Sequence, residues 1–249
     1  MTTIAEVKKW TRPILAEHSD LSLKPRMLYL RPVRHIYRYI HFLGSSDRTH
    51  SKPTAVFLIL FAPPTGRLGD NWSRELRVGW STDAGFQETL AAAVRQTLDY
   101  PFRPLAEIED IYHLMQESRL HWQHEELLPL SSDAFLHASV LAALGRLPEA
   151  CAVAQAYIDK NEGNWLEIRA EAEALLDKPR KRSEGESRIR LANHFLKPMD
   201  NMRQLMARAR INDRRGVADL LHEWERQNAR RLEIEVDWEP TPFPLERDL

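Results

Sequence analysis

An α+β fold is predicted: an N-terminal antiparallel sheet with flanking helices, then an all-helical region, with a final strand returning to the sheet. Three features carry this. Short apolar or alternating segments separated by turn residues fill the stretch from Met27 to Trp80, as in an antiparallel meander. From about Ser131 onward, apolar residues recur only at three- and four-residue spacing. Near the C-terminus, RLEIEVDWEP alternates again, with Leu232, Ile234, Val236 and Trp238 set between charged residues. The expected division is an α+β domain over 1–125, a helical region over 126–231, and a strand with a proline-rich tail over 232–249.

In order along the chain, Ile4, Val7, Thr11, Ile14 and Leu15 fall at helical spacing, so residues 3–17 read as a helix despite Pro13. Strands are expected at Met27–Val33, Arg34–Leu43, Thr54–Ala62 and Glu75–Trp80. The turn-forming residues GSSD and the loop PPTGRLGDN separate them. Thr54–Ala62 has a continuous apolar centre suited to a strand buried on both faces. Asp83 is placed to cap a helix running through Phe86, Leu90, Val94 and Leu98. Leu105, Ile108, Ile111 and Met115 form another helical stripe. Helices are then expected at 132–144, 148–160, 164–177, 188–196, 199–212 and 215–230. KPRKRSEGES, Lys178 to Ser187, reads as a charged loop.

The chain of 249 residues carries 43% apolar and 29% charged residues with a formal net charge of -1, the balance of an ordinary globular protein. A protein that coats DNA would usually be basic, so that class is disfavoured. Charge is nonetheless uneven. Residues 1–103 hold 15 Lys and Arg against 9 Asp and Glu, whereas the remainder holds 20 against 27, so each half suits a different partner or the other half. The single cysteine, Cys151, excludes an intramolecular disulfide and reads as a core residue. MTTIAEVKKW lacks the apolar core of a signal peptide, and the longest apolar run is about half a membrane span. A cytoplasmic protein without membrane contact is expected.

Phe135 to Gly163, FLHASVLAALGRLPEACAVAQAYIDKNEG, resembles one tetratricopeptide-type helical hairpin: Gly145 falls at the turn, then Glu149, Ala150, Ala154 and Tyr157. Ala134 stands where such a repeat carries a large residue, the closing proline is absent, and no second copy follows. The resemblance implies a protein-binding role. The first 115 or so residues resemble, through RHIYRYIHFLGSSD and FQETLAAAV, bacterial domains of unknown function with a leading helix and a short antiparallel sheet.

Chemistry-bearing residues concentrate in a few places. RPVRHIYRYIHF, residues 31–42, places Tyr37 and Tyr39 on one face of a strand and Arg34 and Arg38 on the other. The aromatic face suits base stacking and the arginines suit phosphate, or else pairing with carboxylates of the acidic half. In HLMQESRLHWQHEE, His113, Glu117, His121 and His124 share a face if one helix continues, a donor set suited to zinc. Trp72, in a loop rich in turn residues, is an expected protein-binding anchor. KPRKR is suited to an anionic partner. No glycine-rich phosphate loop, GxSxG, HExxH or paired CxxC occurs, so no catalytic residue or cofactor is assigned. The expected function is a non-catalytic protein-interaction module whose partner is another protein. A metal-dependent hydrolase using the histidine face and an RNA-binding protein using residues 31–42 are the alternatives.

Overall fold

The computed structural model describes residues 2–43, 52–64, 72–120 and 134–247, with the side chains of 72 and 117–120 set aside. Two compact units emerge. One comprises Met1–Leu60, Gly69–Leu130 and Ala229–Thr241; the other comprises Phe61–Leu68, Ser131–Asn228 and Pro242–Leu249.

The first unit is α+β. Helix α1 (Ile4–Glu17) begins in a capping box, where Thr3 accepts from the Glu6 amide and Glu6 accepts from the Thr3 amide. It buries Val7, Trp10, Thr11 and Ile14, one helical face. The sheet follows as β1 (Leu21–Lys24), β2 (Met27–Leu30), β3 (Ile36–Leu43), β4 (Lys52–Ile59) and β5 (Trp72–Glu75). Every strand pairs antiparallel with its sequence neighbour, giving the expected meander. Two strands differ from expectation. The short β1 precedes the predicted first strand, and β5 ends where the fourth was expected to begin. Leu76 and Val78 are buried alternately, as the pattern suggested, but the backbone there is not strand.

The central strand β3 is buried on both faces. Phe57, opposite Arg38, packs edge-on against Phe102 at 5.3 Å. Phe102 ends a short π-helical turn, Leu98–Phe102, that follows helix α2 (Phe86–Thr97). On the other face Tyr29, Tyr37 and Tyr39 cluster, and the Tyr29 hydroxyl donates to Asp237 at 2.6 Å. Asp83 does not cap α2: Gly85, at φ 88°, holds that position, and the Asp83 carboxylate accepts from the Trp80 amide at 2.8 Å. Helix α3 (Ile108–Leu120) buries Ile108, Ile111 and Met115 as its stripe requires.

The segment after residue 231 joins this unit by less than a strand. Val33 and Trp238 form one parallel bridge, flanked by Val33 N–H to Asp237 O at 3.1 Å and Glu239 N–H to Val33 O at 2.8 Å. Before the bridge the chain turns: Glu233 has φ 55° and the Ile234 amide returns to Ala229 O. Ile234 is buried while Val236 is 89% exposed, so the alternation reflects a turn that sinks one side chain.

The second unit is helical: α4 (Ala134–Ala143), α5 (Leu147–Leu176), α6 (Arg182–Arg210) and α7 (Arg214–Arg231, of which 229–231 belong to the first unit). Helix α4 is buried from Leu136 to Ala143 and ends in a Schellman turn. Gly145 sits at φ 77°, Arg146 N–H reaches Leu141 O, and Gly145 N–H reaches Ala142 O. Phe135 meets Tyr157 edge-on at 4.5 Å, fastening α4 to α5. The two helices expected over 148–177 are one, because Gly163 is tolerated on an exposed face. The two expected over 188–212 are also one, running through a buried Pro198. Among the described residues no helix is long and apolar enough to cross a membrane.

Candidate interaction surface

Helices α5 and α6 form a long antiparallel hairpin. On α5 the inward positions are 147, 150, 154, 158, 161, 165, 168, 172 and 175; on α6 they are 185, 189, 192, 196, 199, 203 and 206. All are buried or half-buried. The three–four alternation is that of a coiled-coil seam. Polar rungs mark the register: Gln155 with Arg210 at 2.7 Å, Glu162 with Arg203, and Glu171 with Arg188 at 2.7 Å. Towards the turn the seam tightens. Gly185 lies so close to α5 that a Cβ there would stand 2.8 Å from the Ala172 carbonyl oxygen. Trp165 and Phe195 stack at 4.0 Å with their planes 9° apart.

This packing explains why KPRKRSEGES is not a loop. Pro179–Lys181 makes one 3₁₀ turn and α6 starts at Arg182. Glu184 in the first helical turn complements the helix dipole, Arg182 pairs with Glu186 at 3.3 Å, and Gly185 closes onto Ala172. A two-stranded helical hairpin exposes most of its surface, so its composition is as polar as that of a loop.

The outward face of α6 combines apolar and basic groups. Ser187, Arg190, Leu191, His194 and Lys197 recur at three- and four-residue spacing, and with Arg188 and Phe195 they border an open groove of about 850 Å³. Leu191 is 50% exposed. From Lys178 to Lys197 the sequence carries seven basic residues against two acidic ones. Arg182 and Arg188 are held by Glu186 and Glu171. Lys178, Arg180, Lys181, Arg190 and Lys197 make no ion pair among the described residues. A basic field beside an uncovered leucine attracts an acidic partner that also buries apolar surface.

Apart from KPRKR, the residues singled out from the sequence lie elsewhere, in the first unit, and are not gathered into one site. Tyr37 and Tyr39 are buried and stacked on each other at 4.6 Å, leaving no exposed ring face for a base. Burial, and then the neighbouring tyrosines, push the Tyr37 hydroxyl far above its ordinary range. Arg38 is also buried. Its Nη1 donates to the Phe102 carbonyl at 2.6 Å, and burial holds the guanidinium down to about 10. Arg34 is half-exposed and faces Glu239 at 3.7 Å. His113 is exposed on α3 beside Tyr112. The Trp72 and Glu117 side chains, and all of His121 and His124, fall outside the described residues. Of the basic stretch KPRKR, all five residues are exposed at the hairpin turn. Sequence reasoning did not single out Arg190, Leu191 and Lys197; the seam pattern from 185 to 206, whose opposite face they occupy, was the available signal.

No protein-family model matches the chain, and no curated protein or solved structure matches it.

Proposed function

We propose that the protein is a non-catalytic, cytoplasmic protein-interaction module that takes up an acidic amphipathic helix of a partner protein on the outward face of α6. The observation that carries this reading is the half-exposed Leu191 flanked by Arg190 and Lys197, two cations without an ion pair among the described residues. A partner helix with leucines at three- and four-residue spacing and glutamates beside them would bury Leu191 and Phe195 and neutralise the rim. The hairpin supports such docking because its own seam already orders the α6 backbone, so little backbone order is lost on association. Nucleic acid fits less well, since phosphate contacts make no use of an exposed leucine. A photo-cross-linking residue in place of Leu191 is expected to capture a discrete protein in cells, while the same residue in place of the exposed Val236 is not. Equal labelling at both positions, or none at 191, would remove the reading.

A further inference from the structure

A cluster of titratable groups in the second unit takes no part in that surface. His222 on α7 is gripped from both sides. Its Nδ1 lies 3.3 Å from Glu225 Oε2 and its Nε2 lies 2.9 Å from Glu246 Oε2. Glu225 is fully buried on the same helix. Glu246 ends a short 3₁₀ turn, Pro244–Glu246, and the same Oε2 accepts the Phe243 amide at 2.6 Å. The Phe243 ring lies 4.5 Å from the imidazole and 5.3 Å from Phe61, and both Phe243 and Leu245 are fully buried. Arg214, at the start of α7, donates to the Leu245 carbonyl at 2.8 Å. Residues Phe243–Glu246 thus form a strap laid against α7.

The geometry is selective for one protonation state. A neutral imidazole has a single N–H, so it donates to one carboxylate and turns a lone pair towards the other. The imidazolium donates to both. We propose that His222 is a proton-operated clasp: as imidazolium it ties the strap to α7, and losing its proton loosens Phe243–Glu246. Burial alone would lower the His222 pKa, but its hydrogen bonds to the accepting carboxylates of Glu225 and Glu246 outweigh it and leave the ring above its ordinary 6.5. The sign follows. A base raised in the folded state contributes fully below 6.5 and loses that contribution as pH climbs through the raised value. The charged groups acting on the ring are Glu225 from its own helix and Glu246 from the strap.

Hydrogen exchange of the full chain, corrected for intrinsic rates, reads this directly. In the wild type, protection of the Phe243, Glu246 and Arg247 amides is expected to fall about tenfold between pH 6 and pH 9, the scale of one charge-assisted hydrogen bond. In His222→Gln it should be low at both pH values, and in Glu246→Gln it should lose its pH dependence, with α4–α6 unchanged. Flat wild-type protection, a pH dependence that survives in His222→Gln, or an equal fall across α4–α6 would overturn the clasp. Should the variants fail to fold, an NMR titration of wild-type His222 decides: a midpoint above 6.5 supports it, and one at or below 6.5 overturns it.

Discussion

Two glycines in the hairpin make opposite predictions for the same change. Gly163 lies inside α5 with nothing within 4 Å of the position a Cβ would occupy. Gly163→Ala should therefore stabilise by about 0.5–1 kcal/mol, the ordinary gain in helix propensity. Gly185 lies in α6, where a Cβ would meet the Ala172 carbonyl oxygen at 2.8 Å, Leu175 Cβ at 3.1 Å and Leu176 Cδ2 at 3.2 Å. The oxygen is backbone of α5 and has no room to rotate away. Overpacking of this kind costs about 1–3 kcal/mol, against a propensity gain of at most about 1 kcal/mol, so Gly185→Ala should destabilise by about 1 kcal/mol. The two variants should differ by about 2 kcal/mol in urea denaturation followed by far-ultraviolet circular dichroism, with an unchanged m-value. If Gly185→Ala stabilises as much as Gly163→Ala, the close approach of α5 and α6 is wrong.

Other expectations concern the buried and half-buried polar groups. Burial at Arg38 penalises its charged form by about 3 kcal/mol, while the Phe102 carbonyl it satisfies would cost about 1–3 kcal/mol if left unpaired. Arg38→Met should therefore stay within about 1–2 kcal/mol of wild type in thermal unfolding; a loss above about 3 kcal/mol would indicate a carboxylate partner, as for a broken buried ion pair. Arg34→Ala removes only a 3.7 Å pair exposed on both sides and should change stability by less than about 1 kcal/mol. Burial raises the Cys151 thiol, partly offset by Arg210, so a maleimide at pH 8 should react more slowly with native than with unfolded protein. Equal rates would contradict that environment.

Much of the architecture was legible because amphipathic periodicity reports burial. Val7, Thr11 and Ile14 announced the buried face of α1, and Ile108, Ile111 and Met115 that of α3. Burial alone does not reveal hydrogen bonding, however. Leu76 and Val78 alternate in and out of the core yet lie outside the ladder, and Ile234 is buried by a turn at positive φ rather than by a strand. Glycine, proline and charge were the least transferable signals. Gly163 sits on an exposed helical face and Pro198 in a helix whose packing outweighs its missing hydrogen bond, so neither ends its helix. The strand at 31–42 drew attention through its aromatic and basic residues, but both its faces are covered: Tyr29 reaches Asp237, 208 positions along the chain, and Arg38 reaches Phe102. Such long-range cover leaves no local trace in sequence, whereas the seam that orders α6 is periodic and readable.

The most direct test of the proposed function is the binding of a fluorescent amphipathic helical peptide, with leucines at three- and four-residue spacing and glutamates between, to the full-length protein. Binding should weaken at least about tenfold in Leu191→Glu and in the double variant Arg190→Glu/Lys197→Glu, and fall steeply from low salt to about 1 M salt as rim charges are screened. A matched peptide carrying lysine for glutamate should bind poorly to the wild type and regain binding to the charge-reversed variant. Equal binding of both peptides to the wild type, or indifference to Leu191→Glu, would contradict an acidic-helix-binding face on α6.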